Sequence, residues 1–412
     1  MDTGRQIRLL AWAVIVAFVA WHSYDLAPNG LADRSGRLKG ADFLQFYTYG
    51  RLVATGHGDQ IYNPAAHAEM ARTGVDQHLV LSGLRPNHAP VVAWISASLT
   101  GLTFLRALLL FSVMTALTYL ATMAGLARQT SHLRTQVGTV VVIAASWPTL
   151  YVALRYGQIS AVALALVTLA ALLYARSHKV ASGLVLGLLV YKPNLLVVPV
   201  LVWTLTRQWR LLAGLLAGMA VELALSLSLA GPVVMRQYVE TLAALARHPE
   251  LVQIFPAESH SLRGAARLLV PWSPLVTAIG MLAIPAATWL TARVWLTQSD
   301  WRLQWASLVF GMLLASPHLL TYDLLILAAP VVLVVDWLLE TRGQVPRGQW
   351  RWALGLVFMC GWPGPILAEI SHVQISTVGM SLMLWMLTRS AVAPRYWTPS
   401  VVGSDPTMSD VR

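Results

Sequence analysis

Arg5-Gln6-Ile7-Arg8-Leu9-Leu10-Ala11-Trp12-Ala13-Val14-Ile15-Val16-Ala17-Phe18-Val19-Ala20-Trp21 stands near the start of the chain, and the apolar run continues to Ala27. A helix needs about 20 apolar residues to cross a bilayer core, so 8–27 reads as a membrane span that begins in the cytoplasm beside its cations. The stretch resembles the charged and apolar regions of a signal peptide. Its apolar part is longer than the usual signal core, however, and no small-residue cleavage site follows. A retained first span is the expectation.

The rest of the chain repeats the pattern at 105–127, 137–154, 158–175, 211–230, 274–296, 304–315, 319–339, 350–368 and 373–388. Of 412 residues, 57% are hydrophobic and 11% charged, where a soluble domain carries about 25% charged residues. Mean hydropathy is +0.61. The fold class expected is all-α and polytopic, with about 11 to 13 spans of this length. Two regions stay open: 88–104 is short, and 180–206 is interrupted by Lys192-Pro193-Asn194, so each reads as one helix, half a helix or a hairpin. The formal net charge of +11 would suggest nucleic acid in a soluble chain. Here Arg128 and Arg134, Arg176 and Lys179, Arg207 and Arg210, Arg293 and Arg302, and Arg342, Arg347 and Arg351 lie between apolar runs, as cytoplasmic turns require. No nucleic-acid partner is expected. The single cysteine, Cys360, allows no disulfide within the chain and no cysteine-based metal site.

The organisation expected is a transmembrane half over 1–230 with a long outer loop at 28–87. A second outer loop follows at 231–273, then another transmembrane half at 274–395 and a short cytoplasmic tail at 396–412. Loops this long are usually functional or disordered. The second contains Ser261-Leu262-Arg263-Gly264-Ala265-Ala266-Arg267-Leu268-Leu269, an amphipathic pattern suited to lying among phosphate headgroups.

Within the first loop, Gly40-Ala41-Asp42-Phe43-Leu44-Gln45-Phe46-Tyr47 sets a carboxylate among aromatic rings near the bilayer surface. Asp42 is a candidate general base for chemistry on a lipid-linked substrate; the plainer alternative is a loop aspartate capping a helix from Phe43. In Ser316-Pro317-His318-Leu319-Leu320-Thr321-Tyr322-Asp323, His318 is suited to donate to a developing phosphate charge or to move a proton. Its alternative is a helix-end histidine bonded to a carbonyl. Asp323 reads as a group that orients Tyr322 or His318, or as a helix cap. Arg155 and Lys192, each beside a tyrosine, are candidate phosphate clamps or snorkelling cations. Arg85-Pro86-Asn87-His88-Ala89-Pro90 closes the first loop and either shapes a sugar pocket or simply stops a helix. Glu222, in mid-span, reads as protonated and bonded to a neighbouring helix rather than catalytic. There is no Asp-x-Asp pair and no histidine pair at helical ligand spacing, so neither a metal nor a cofactor is expected.

Together these residues resemble the polytopic glycosyltransferases of the GT-C superfamily, and within it glycosyltransferase family eighty-seven, the PimE-like mannosyltransferase family. The resemblance rests on Asp42-Phe43 with Tyr47, then Gly56 and Ile61-Tyr62-Asn63-Pro64, then Tyr156-Gly157-Gln158. Lys192-Pro193, Ser261-Leu262 with Arg267, and Ser316-Pro317-His318 with Tyr322-Asp323 follow in the family's order. Two features depart from the pattern: Pro86-Asn87-His88-Ala89-Pro90 stands where a Pro-Pro is usual, and Tyr322-Asp323 stands where many relatives have Trp-Asp-His.

The resemblance implies a hexose donor, mannose foremost, carried on a polyprenyl phosphate, and a lipid or glycan acceptor. It also implies a multi-pass protein of the bacterial cytoplasmic membrane with its active site on the periplasmic face, in contact with membrane lipids. Asp42 would then be the base of an inverting transfer and His318 a second catalytic group. Tyr47, Arg85, His88, Arg155, Gln158, Lys192, Arg263, Tyr322 and Asp323 would bind substrate. The competing class is a carrier or flippase for lipid-linked sugars, using Glu222 and Lys192. A ligase or polymerase moving a whole glycan from a lipid diphosphate is a further enzymatic alternative.

Overall fold

The computed structural model describes residues 3–79, 86–247, 256–270, 272–341, 345, 347–359, 361 and 363–390. Arg85, Arg342, Cys360 and the expected tail at 396–412 lie outside the described residues. The first half runs α1 (Thr3–Leu26), α2 (Phe43–Ala54), α3 (Pro64–Gly74), α4 (Pro90–Ala97), α5 (Phe104–Gln129), α6 (Val137–Ala145), α7 (Pro148–Tyr156), α8 (Ser160–Ala175), α9 (Lys179–Gly187) and α10 (Val197–Leu205). The second runs α11 (Trp209–Arg247), α12 (Leu262–Leu269), α13 (Ser273–Thr297), α14 (Trp301–Ala315), α15 (Ala328–Glu340), α16 (Arg347–Phe358), α17 (Pro363–Ser371) and α18 (Ile375–Ser390). Among the described residues, extended pairing is limited to two isolated bridges, Ala32 with Leu38 and Ser259 with Leu320. The protein is all-helical and polytopic, as the apolar runs predict.

Five segments are long and apolar enough to cross a membrane: Gly4–Leu26, Phe104–Gln129, Trp209–Leu245, Ser273–Thr297 and Thr321–Glu340. The count reaches 7 if two bent pairs, Leu133–Ala145 with Pro148–Tyr156 and Gly364–Ser371 with Ile375–Ser390, are each one span. This is fewer than the apolar runs suggested, because several of those runs fold as short helices. The α8 helix has 16 residues and α14 has 15. The 88–104 region yields only α4, of 8 residues. The 180–206 region is a hairpin: α9 and a 3-10 turn climb to Tyr191, and Pro193 opens a second 3-10 turn that leads back through α10. Its two feet meet where Lys179 Nζ donates to Gln208 Oε1 at 3.2 Å. A proline lacks the amide that would continue the helix, so the chain turns there.

The expected outer loop at 231–273 also differs. The α11 helix continues through a kink at Gly231, whose φ of +77° only glycine adopts readily, and ends at Arg247. Ser261 then caps α12, its Oγ accepting from Gly264 N at 3.1 Å.

The hairpin is held by backbone proximity. Gly183 and Gly187 on α9 face Gly214 and Gly218 on α11, and a Cβ on any of the four would fall on a carbonyl oxygen of the opposite helix. Two small residues four apart on both partners let helices touch main chain to main chain, as in membrane helix pairs generally. At the end of the molecule remote from Asp42, the buried Asp336 accepts from the amides of Ser131, His132 and Leu133 at 3.2, 2.8 and 3.0 Å and from Arg302 Nη1 at 2.7 Å. Arg302 also pairs with Asp300 and Glu340. This cation, predicted as a loop charge, is instead a buried tie between α14, α15 and the turn after α5. Glu222 is buried on α11; it accepts from Ser226 Oγ at 3.2 Å, and that hydroxyl accepts from Val91 N at 3.2 Å. The carboxyl is thus linked to α4 through Ser226.

Gly214→Ala is expected to cost about 1 to 3 kcal/mol through overpacking, seen as a lower midpoint of thermal unfolding in detergent. Gly125→Ala, inside α5 where a Cβ meets open space, serves as the control and is expected to leave the midpoint unchanged or raise it. Equal midpoints for both variants would contradict the close helix contact.

Candidate active site

The loop after α1 is a compact structure. Asp33 Oδ1 accepts from Ser35 N, Ser35 Oγ and Arg37 N at 2.9, 2.7 and 2.9 Å, and Lys39 Nζ donates to the carbonyls of Pro28 and Gly30 at 2.7 and 3.0 Å. The loop is fastened to the end of α7 where Gly40 N donates to Arg155 O and Asp42 N to Tyr156 O, both at 3.1 Å. Gly157 ends α7 with φ +73°, and a Cβ there would lie 2.5 Å from Phe43 Cβ. Glycine is therefore required at Gly157 both for its left-handed backbone and for the close approach of α2. These contacts bring Asp42 against the Tyr156-Gly157-Gln158 turn.

Asp42 occupies the N-cap position of α2, yet its side chain makes no capping hydrogen bond. The carboxylate turns instead to Gln158, whose Nε2 donates to Oδ2 at 2.6 Å, and the Tyr322 hydroxyl is directed at the same carboxylate. The residue as a whole is half-buried. Burial raises its pKa above the usual aspartate value; Gln158 and Tyr322 oppose that by bonding the ionised form, Asp323 adds to it by repulsion, and Lys192 opposes it by attraction. A raised pKa brings a carboxylate closer to the proton affinity a general base needs.

Behind Asp42 lies an ion pair between Lys192, at the tip of the 179–205 hairpin, and Asp323. Ser160 Oγ, at the start of α8, donates to Asp323 Oδ1 at 2.9 Å. Lys192 Nζ also stands 5.8 Å from the centre of the Tyr322 ring, which lies 6.1 Å from the ring of Tyr156. Asp323 therefore neither caps a helix nor reaches His318; it anchors the lysine beside Tyr322. The hairpin tip grips the next motif as well. Asn194 Nδ2 donates to Ser316 Oγ at 2.7 Å, and Ser316 Oγ donates to His318 O at 3.0 Å. The His318 ring makes no hydrogen bond among the described residues. Burial lowers its pKa, and the nearby charge of Arg263 lowers it further. Arg263 lays its aliphatic stem over Gly280 of α13 and forms no ion pair among the described residues.

Other expected site residues make the following contacts. Tyr47 is buried, with its hydroxyl donating to Leu102 O at 2.8 Å and its ring 5.5 Å from Phe104. Arg155 Nη2 is paired with Asp33 at 2.9 Å and Asp25 at 3.1 Å, so its charge is matched by the loop and by the last turn of α1. His88 stacks edge-on to Phe46 at 4.8 Å, and burial, helped by Lys192, pushes its pKa down to about 3. Arg85 lies outside the described residues. Two residues near the site carried no signal in the sequence. Ser160 completes the Asp323 anchor. His260 is fully buried, its ring nitrogens 2.6 Å from Ser376 Oγ and 2.9 Å from Thr321 Oγ1.

Gln158→Ala removes a donor to ionised Asp42, so the Asp42 pKa is expected to rise further. The acid limb of kcat/KM would then move to higher pH, with kcat lower by about 10- to 100-fold. An unchanged acid limb would show that Gln158 does not bear on the titrating group.

The sequence profile described as Glycosyltransferase family 87 matches residues 88–317. The match takes in Gln158, Lys192 and Arg263; Asp42 precedes it, and His318, Tyr322 and Asp323 follow it. No curated protein and no solved structure matches the chain. With more than half of its length matched, the chain belongs to glycosyltransferase family 87.

Proposed function

We propose that this membrane glycosyltransferase moves a hexose, mannose foremost, from a polyprenyl-phosphate sugar to a hydroxyl of a lipid or glycan acceptor, with inversion. The observation that carries the proposal is the Asp42 carboxylate, turned away from its own helix and oriented by Gln158 beside the Lys192–Asp323 pair. In the reaction, the acceptor oxygen attacks the anomeric carbon as its proton passes to Asp42. The bond from that carbon to the phosphate oxygen breaks, and the electron pair leaves on the polyprenyl phosphate. The leaving group gains negative charge, which preorganised donors and cations stabilise.

Lys192 already carries Asp323, and Arg155 carries two carboxylates. His318 and Arg263, adjacent and without anionic partners among the described residues, are better suited to the phosphate. A phosphate beside His318 would raise its proton affinity and favour its role as donor. Family membership and the engagement of Lys192 speak for transfer over carriage. The prenyl chain would lie between helices, whose outer faces are rich in exposed apolar side chains.

The distribution of charge supports an outward-facing site. Arg128, Arg176, Lys179, Arg210, Arg302 and Arg389 stand at the helix ends opposite Asp42. Cations favour the cytoplasmic side, which directs Asp42 to the outer face of the cytoplasmic membrane.

The test incubates purified protein in nanodiscs with radiolabelled polyprenyl-phosphate mannose and a membrane lipid extract. Label transfer by the wild type is expected to fall by about 10²- to 10⁴-fold in Asp42→Asn. Because burial raises the Asp42 pKa, activity should be lost as pH falls through a value above the ordinary aspartate range and be full above it. Transfer that persists in Asp42→Asn would remove Asp42 as base. Silence with mannose and with every other hexose tried would contradict the transferase reading.

A further inference from the structure

The strap from Pro256 to Ser261 pairs with the Leu319–Leu320 segment before Tyr322 and leads into α12, which carries Arg263. It is fixed on both sides. Ser259 bridges to Leu320, and His260 N donates to Leu319 O at 2.8 Å. Gln374 Nε2 donates to the carbonyls of Ala257 and Ser259 at 2.8 and 3.1 Å, while Thr377 Oγ1 donates to His260 O at 2.7 Å. The buried His260 ring ties the strap to both Thr321 and Ser376. So many restraints on six residues hold whatever side chain the strap presents.

That side chain is Glu258, a group with no assigned role. It is only half-buried and makes no hydrogen bond or ion pair among the described residues. The groups whose charges reach it come from separate elements: Arg37 from the first loop, Asp42 at the head of α2, and Glu369 on α17. It acts in turn on Tyr156 at the end of α7 and on Tyr322. The antiparallel bridge of Ser259 with Leu320 sets Glu258 opposite Thr321, one residue before Tyr322. On the other side the strap leads directly into α12 and Arg263. A carboxylate there repels phosphate and suits a neutral polyol, because an ionised acceptor bonds sugar hydroxyls strongly.

We propose that Glu258 accepts hydrogen bonds from hydroxyls of the transferred sugar of the donor, making it a specificity-determining residue between the base Asp42 and the phosphate end at His318 and Arg263. The proposal rests on the glycosyltransferase reading of the same site. Glu258 removes no proton in the reaction and forms no bond. It selects which hexose is seated, and a site built to bond a hydroxyl discriminates strongly against a sugar that lacks it.

The experiment compares wild type, Glu258→Gln and Glu258→Ala on the donor sugar and on a set of its monodeoxy analogues, each with one ring hydroxyl replaced by hydrogen. A lipid extract serves as acceptor, and kcat and KM are separated. With the parent donor, Glu258→Ala is expected to lose about 10- to 100-fold in kcat/KM, chiefly through KM. With one analogue, the loss should shrink to about 3-fold or less, because the hydroxyl that Glu258 holds is already gone. The same loss on every analogue would assign Glu258 a structural role, and no loss on the parent would assign it none; either overturns the proposal. Selectivity that changes only when the acceptor is varied would overturn it in favour of an acceptor contact. Wild-type protein that transfers no sugar would instead contradict the transferase reading itself, so the two failures are distinguishable.

Discussion

The ion pair between Lys192 and Asp323 is the contact on which the site depends. It joins the tip of a helical hairpin to a 3-10 segment more than a hundred residues later, and Ser160 ties α8 to the same carboxylate. Both charges are largely removed from water. Two ions buried together are tolerated because each neutralises the other, whereas loss of one partner leaves an uncompensated charge at a cost of about 3 to 5 kcal/mol. The pair therefore contributes position more than stability. It sets Tyr322 beside Asp42 and, through Asn194, sets the Ser316-Pro317-His318 turn.

The approach of the first loop is a second constraint. Asp42 can face Gln158 because Gly157 has no side chain where Phe43 passes, and because Arg155 holds the loop by Asp25 and Asp33. The membrane helices supply a rigid frame in which glycine contacts between α9 and α11 bring the hairpin against the long helix. A partly desolvated carboxylate is thus held in a fixed place at one end of a bundle whose other end is bound by the Arg302–Asp336 network. The arrangement suits the proposed transfer, in which an acceptor hydroxyl meets a donor anchored in lipid.

Much of this was legible in the sequence, since the long spans announce themselves by unbroken apolar runs such as Phe104–Gln129 and Ser273–Thr297. Hydropathy alone did not separate full spans from helices of 15 or 16 residues such as α14 and α8, because burial inside protein and exposure to lipid ask for the same side chains. The sequence leaves 180–206 open between one helix, half a helix and a hairpin, because the fixing contacts, Lys179 with Gln208 and Lys192 with Asp323, join residues far apart in the chain. Motif residues Asp42, Gln158, Lys192, Tyr322 and Asp323 do meet in space. Arg155 shows the limit of such reading: a cation beside a tyrosine looks the same whether it awaits a phosphate or already holds two carboxylates. Glu258 and His260 gave no pattern, for their roles come from a bridge between distant segments.

The most direct test of the central claim is the anomeric configuration of the glycosidic bond in the product, read by nuclear magnetic resonance against that of the donor. A single in-line displacement with Asp42 as sole base produces the configuration opposite to the donor's. Retention would require a covalent or equivalent two-step route, and would contradict the account.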